Sequence, residues 1–93
     1  MVRLEIIHVR LAAEYPEGLT DSIRHAADAL ENDWCVQVYE RLGPMADLGI
    51  HIKHRLSEHD VRPSSLGERI ASELRQYGMV EHSIWCEYSV ELS

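Results

Sequence analysis

Apolar residues along this 93-residue chain recur with two different periods, and the order in which those periods alternate is its strongest constraint. Runs that alternate every second residue occupy Val2 to Leu11, Trp34 to Leu42, Leu48 to Leu56 and Val80 to Leu92. Between them lie two segments of helical period and one short turn, which gives strand, helix, strand, strand, helix, strand. Successive side chains of a strand point to opposite faces. The order therefore fixes which residues share a sheet face and which groupings of side chains can form.

A βαββαβ order predicts an α+β ferredoxin-like sandwich, with a four-stranded antiparallel sheet in the order 4-1-3-2 and two helices on one face. Residues 1–93 are expected to make a single domain, since the length leaves no room for a second core. A hydrophobic content of 45% with 27% charged residues is that of a folded chain. The fold by itself assigns no activity.

The first strand changes phase halfway. Val2, Leu4 and Ile6 are apolar at even positions, then Ile7, Val9 and Leu11 at odd ones. Either the strand is buried on both faces near Ile6 and Ile7 or it carries a bulge there. In the first helix Leu19, Ile23, Ala26, Ala27 and Leu30 form one stripe, Pro16 fits a first turn, and Thr20 or Asp21 is available as a cap. Gly43-Pro44, with Asp47 and Gly49 beyond, marks the hairpin connection. Ser65 with Glu68 reads as a capping box for the second helix, whose stripe is Leu66, Ile70, Ala71, Leu74 and Tyr77. Gly78 reads as the left-handed residue that stops it. The last strand, from Met79 to Leu92, is long and must bend, overhang its sheet or pair with another chain.

The net charge of −7 opposes polyanion binding, which needs a basic field, so nucleic acid is not an expected partner. Arg41, His51, Lys53 and Arg55 form at most a local basic strip. No run reaches the roughly 18 apolar residues of a membrane span, and the charged start MVRLEIIHVRL reads as a strand rather than a leader. The two cysteines, Cys35 and Cys86, fall on strands at opposite sheet edges, on the order of 14 Å apart at about 4.8 Å per strand. A disulfide needs Cα atoms within about 7 Å. Both are expected to be reduced, as in a cytoplasmic protein.

Six histidines invite a metal hypothesis, but His51 and His54 lie on opposite faces of one strand, and no HExxH or paired CxxC occurs. A loop site around His54, His59 and Asp60 is the residual option, and no metal or cofactor is expected. The sheet geometry gathers a different cluster. Counting outward from the turn places Tyr39 opposite His51, and the neighbouring strand brings His8 to a similar level, with Trp85 on the same open face. His8, Tyr39 and His51 are therefore the candidate catalytic or ligand-binding residues, because histidine exchanges protons near neutral pH. The competing and favoured reading is a solvated face or a dimer contact, since no third group is seen to orient a histidine. Ser64-Ser65 is better read as helix capping than as nucleophile chemistry.

Comparison by motif mostly excludes. RNA-recognition motifs share the topology but stack bases on aromatic residues of strands one and three, which here have none. Acylphosphatases carry a glycine-rich, arginine-bearing loop after strand one, and heavy-metal-binding domains carry CxxC near the first helix; neither is present. In size and order the chain is most similar to the dimeric α/β-barrel proteins, which include small cofactor-independent monooxygenases and isomerases. That resemblance implies two open sheet faces packed together and partly apolar, whereas Lys53, Arg55, Glu81 and Glu87 fall on that face here. No family is assigned.

The expected function is a small cytoplasmic, non-enzymatic interaction module that self-associates as a homodimer. Trp85, Tyr88, Val90 and Leu92 of the long last strand are its interface residues, because that strand has apolar side chains to cover and a free edge. The alternative is a cofactor-independent enzyme or small-molecule binder of the dimeric α/β-barrel type, using His8, Tyr39 and His51.

Overall fold

The six elements form in the order that the periodicity predicts: β1 (Val2–Leu11), α1 (Leu19–Asp28), β2 (Trp34–Glu40), β3 (Asp47–Arg55), α2 (Ser65–Leu74) and β4 (Gly78–Cys86). They come from a computed structural model, which describes residues 2–11, 16–28, 34–43, 47–55 and 61–87. The strands pair antiparallel in the order β2-β3-β1-β4, which is the expected 4-1-3-2 counted from the other edge. Both helices feed one core. Leu19, Ile23, Leu66, Ile70, Ala71 and Leu74 pack with Ile7 and Val9 of β1 and Leu48, Ile50 and Ile52 of β3. Each such branched side chain contributes about 1.5–3 kcal/mol by leaving water, so the two central strands and the two helices share the fold's apolar stabilisation about equally.

The phase change in β1 is a change of face and not a bulge. Its register with β3 runs without a skipped residue from Val2↔Arg55 to Arg10↔Asp47, and its register with β4 is equally continuous. Odd residues of β1 face the helices throughout. Ile7 and Val9 are therefore core, while Arg3 and Glu5 are buried polar residues beneath the helices. The even residues Val2, Leu4 and Ile6 are left on the open face.

Glu5, only 2% exposed, is accommodated by a dense set of partners. Its carboxylate accepts the Ser64 N–H at 3.2 Å to Oε1 and meets His82 Nε2 at 2.5 Å from Oε2. Arg3 Nη2 lies 3.8 Å from Oε1 and also donates to the Arg62 carbonyl. An unpaired buried carboxylate is costly, and here the Arg3 guanidinium, the His82 ring and one backbone donor answer it. The cluster ties β1, β4 and the approach to α2 together.

The start of α2 differs from the expected capping box. Ser64 is the N-cap, and its Oγ accepts the Gly67 N–H at 2.9 Å. In a capping box the third helical residue reaches back with a carboxylate to the cap's own N–H. That residue is Gly67, and Glu5 supplies the carboxylate from β1 instead. A Cβ on Gly67 would lie 1.8 Å from Glu5 Oε2, so the glycine makes room for the substitute cap.

Other expectations also move. Gly78 is not the left-handed stop of α2: the described positive-φ glycines are Gly18 and Gly43. Gly78 opens β4 where a Cβ would lie 2.0 Å from the Arg10 carbonyl oxygen, so close backbone approach explains it. Thr20 and Asp21 lie inside α1 rather than capping it. Gly18, with φ 88°, accepts the Ser22 N–H through its carbonyl and precedes the helix. β2 ends at Glu40 rather than Leu42, and β3 begins one residue early, at Asp47. β4 is followed to Cys86, with the Glu87 N–H still donating to the Val2 carbonyl at 2.9 Å. Tyr88, Val90 and Leu92 lie outside the described residues, as do Leu30, Leu56, His59 and Asp60. Among the described residues no helix is long and apolar enough to cross a membrane.

Candidate functional site

The open sheet face has two chemically distinct ends, both following from the register. Its apolar end holds Val2, Leu4 and Ile6 of β1 beside Trp85 of β4, which pairs with Leu4. These side chains wall a concavity of about 350 Å³ with Lys53 and Glu87 at its rim. Small-ligand sites start at roughly this volume. The Trp85 indole N–H is satisfied by Ser83 Oγ at 2.8 Å, so the ring presents its apolar surface outward. Trp85, Tyr39 and Met79 are 57%, 52% and 71% exposed, and all three stand on this one face. Large side chains gathered on one exposed face mark an interaction surface more than isolated ones do.

The polar end holds the histidine cluster. Tyr39 is opposite Gly49 rather than His51, which pairs with Gln37. The expected pairing fails by one step of the alternation because the β2–β3 connection runs from Arg41 to Asp47, a wider turn than was counted. The face is unchanged, and the Tyr39 and His51 rings still meet on the diagonal, with centroids 4.7 Å apart. His8 is also opposite Gly49, from the other side. His8, Gly49 and Tyr39 thus form one level across three strands, with His51 one level along. Trp85 shares the face but sits two levels away, beside Leu4. His54 faces the helix side and stacks on Trp34 at 3.8 Å, so His51 and His54 are separated by the sheet as expected.

A third group does orient a histidine. Asp47 Oδ2 meets His8 Nε2 at 3.1 Å and Arg41 Nη1 at 3.4 Å, and the Arg41 N–H donates to the Asp47 carbonyl. Asp47 is buried beneath them, and its Oδ1 has no hydrogen-bond partner. Loss of water works to raise the Asp47 pKa. The hydrogen bonds from His8 and Arg41, with their charges, outweigh that and hold the carboxyl below its ordinary 3.8. Burial, and then the nearby Lys53 charge, lower the His51 pKa from its ordinary 6.5. Asp47 was missed because it was read as part of the turn. Extending the alternation of Gly49 and His51 back by one step places it on their face.

The two cysteines are free and exposed, on the two edge strands. Among the described residues no grouping of three or more His, Cys, Asp or Glu side chains is arranged to hold a metal ion. No protein-family model matches the chain, and no curated protein or solved structure matches it either.

Proposed function

We propose that the chain is a small interaction module that self-associates as a homodimer through its open sheet face. The supporting observation is the inversion of β1, which puts Val2, Leu4 and Ile6 beside exposed Trp85 on the side away from the helices. A second copy is the occupant favoured by charge. The face carries Arg10, Arg41, Lys53 and Arg55 against Asp47, Glu81 and Glu87, so it is nearly neutral although the chain carries −7. The charges are also sorted, with Lys53 and Arg55 on β3 and Glu81 and Glu87 on the β4 side. A two-fold axis parallel to β1 and passing over it sets Leu4 and Ile6 against their own counterparts. The same axis sets Arg55 against the partner's Glu87 and Lys53 against the partner's Trp85, an ion pair and a cation–π contact. Exposed, unpaired Cys35 and Cys86 suit a reducing, cytoplasmic setting.

Sedimentation velocity tests this on the wild-type chain, Leu4→Asp and Leu42→Asp. Leu42 is 94% exposed and lies past the end of β2, so it serves as the control for adding a carboxylate elsewhere. The reading expects dimer for the wild type and Leu42→Asp, and a folded monomer for Leu4→Asp. A monomeric wild type overturns it. So does a dimer that survives Leu4→Asp but is lost when residues 88–93 are removed, which assigns the contact to the edge of β4.

A second reading, an enzyme or ligand binder of the dimeric α/β-barrel type, draws on the pairing of His8 with buried Asp47.

A further inference from the structure

The concavity of the open face follows β1. Its floor is the row Val2, Leu4 and Ile6, three half-buried side chains on alternate residues. From Val2 to Ile6 that row runs about 13 Å, at about 3.3 Å per residue. Past Ile6 the floor turns polar at His8, so the apolar length ends there. The exposed ring of Trp85 on β4 forms one wall and Lys53 on β3 the other, both level with Leu4. At the Val2 end the two sides carry opposite charges. Arg55 is paired with Val2 from β3, and the Glu87 N–H donates to the Val2 carbonyl from the other side. Lys53 and Arg55 stand two residues apart on one face of β3, and among the described residues neither is in an ion pair. Two cations against the one carboxylate of Glu87 leave the trough with one net positive charge.

We propose that this trough binds an aliphatic carboxylate in place of the second copy, with its head between Lys53 and Arg55 and its chain laid along β1 against Trp85. The competition rests on the two-fold contact proposed above; the site itself is complete within one chain. A guanidinium fork and an ammonium on the same side suit a carboxylate head. Glu87 opposes a head placed on the β4 side, which selects the β3 side. The volume of about 350 Å³ takes a small ligand, and the apolar row has the length of an extended acyl chain of medium size. Ligand and second copy exclude each other because they use the same groups. In the dimer Arg55 meets the partner's Glu87, Lys53 meets the partner's Trp85, and Leu4 and Ile6 meet their counterparts. The bound acid takes all four for itself.

The probe is sodium decanoate below its micelle-forming concentration, with decyltrimethylammonium at the same concentration and acetate at equal ionic strength as references. The chain has two tryptophans, so Trp34→Phe, or Trp34→Tyr should the first not fold, leaves Trp85 as the remaining indole. At dilutions where the chain is monomeric, decanoate should move the Trp85 emission to shorter wavelength and saturate, with the far-ultraviolet spectrum unchanged. The cation and acetate should leave the emission where it is. Lys53→Gln combined with Arg55→Gln should weaken decanoate binding about tenfold. In sedimentation velocity of the wild type, decanoate at about ten times its dissociation constant should raise the apparent dissociation constant of the dimer about a hundredfold, since each dimer opens two sites. An emission that does not respond overturns the site even where the wild type is a dimer. So does an equal response to the cation, or one that the double substitution leaves unchanged. Decanoate that binds while the dimer persists undiminished overturns the competition. A wild type that is monomeric with nothing added overturns the dimer and the competition together, and the Trp85 titration then decides the site alone.

Discussion

Glu5 is the residue on which the covered side of the sheet turns, because its burial is tolerable only with His82, Arg3 and the Ser64 N–H in place. Glu5→Ala leaves buried Arg3 without a counter-charge and takes away the hydrogen-bond partner of His82 Nε2. Breaking a buried pair in this way costs about 3–5 kcal/mol, so urea unfolding of Glu5→Ala should show that loss, and a loss under 1 kcal/mol would mean the cluster is solvated. At the other surface, His51 makes stability depend on pH. Its folded pKa is depressed, so the unfolded chain binds the proton more readily and the contribution is present above the ordinary 6.5. It is lost as pH falls through the folded value. Asp47 acts with the same sign below its ordinary 3.8. The melting temperature should therefore fall between about pH 8 and about pH 5, and His51→Gln should flatten that slope; an unchanged slope would place its source elsewhere. Neither Glu5 nor Asp47 was legible as a site residue in the sequence. Both are single carboxylates with hydrogen-bond partners far along the chain, and only the register brings His82 and Ser64 to Glu5 and His8 to Asp47.

Among the elements, β3 and the two helices follow their apolar periods closely, because Leu48, Ile50 and Ile52 and the stripe from Leu66 to Leu74 each have one buried face. β1 was readable as a strand but not in its meaning. Its phase change allowed a bulge or two buried faces; the continuous pairing with both neighbours excludes the bulge, and burial is complete only on the helix side, with Ile7 buried and Ile6 half-buried on the open face. The open-face cluster of His8, Tyr39 and His51 was legible because alternation fixes a face. Its internal spacing was not, because that depends on the width of the turn. α2 shows the same limit. A capping signal was present at Ser64-Ser65, yet the carboxylate that completes the cap comes from β1. Gly67→Ala tests this arrangement. A methyl there favours the helix by about 1 kcal/mol, but it collides with a carboxylate pinned by Ser64 and His82. Overpacking costs about 1–3 kcal/mol, so the variant should lose stability in denaturant melts; a gain would show that Glu5 moves aside freely.

At the scale of the whole molecule, the consequence of the β1 inversion is an imbalance between the faces of one sheet. The side beneath the helices takes in Arg3 and Glu5, and the side without helices takes Val2, Leu4, Ile6 and Trp85. A chain of 93 residues buries a modest share of its surface and gains from association that covers such a patch. The near neutrality of the face removes the repulsion that a net charge of −7 would otherwise impose between copies. The solution mass of the untagged wild-type chain, measured by light scattering across a wide dilution series, tests this most directly. The account predicts twice 10.7 kDa, dissociating only at the lowest concentrations; 10.7 kDa throughout the series would contradict it.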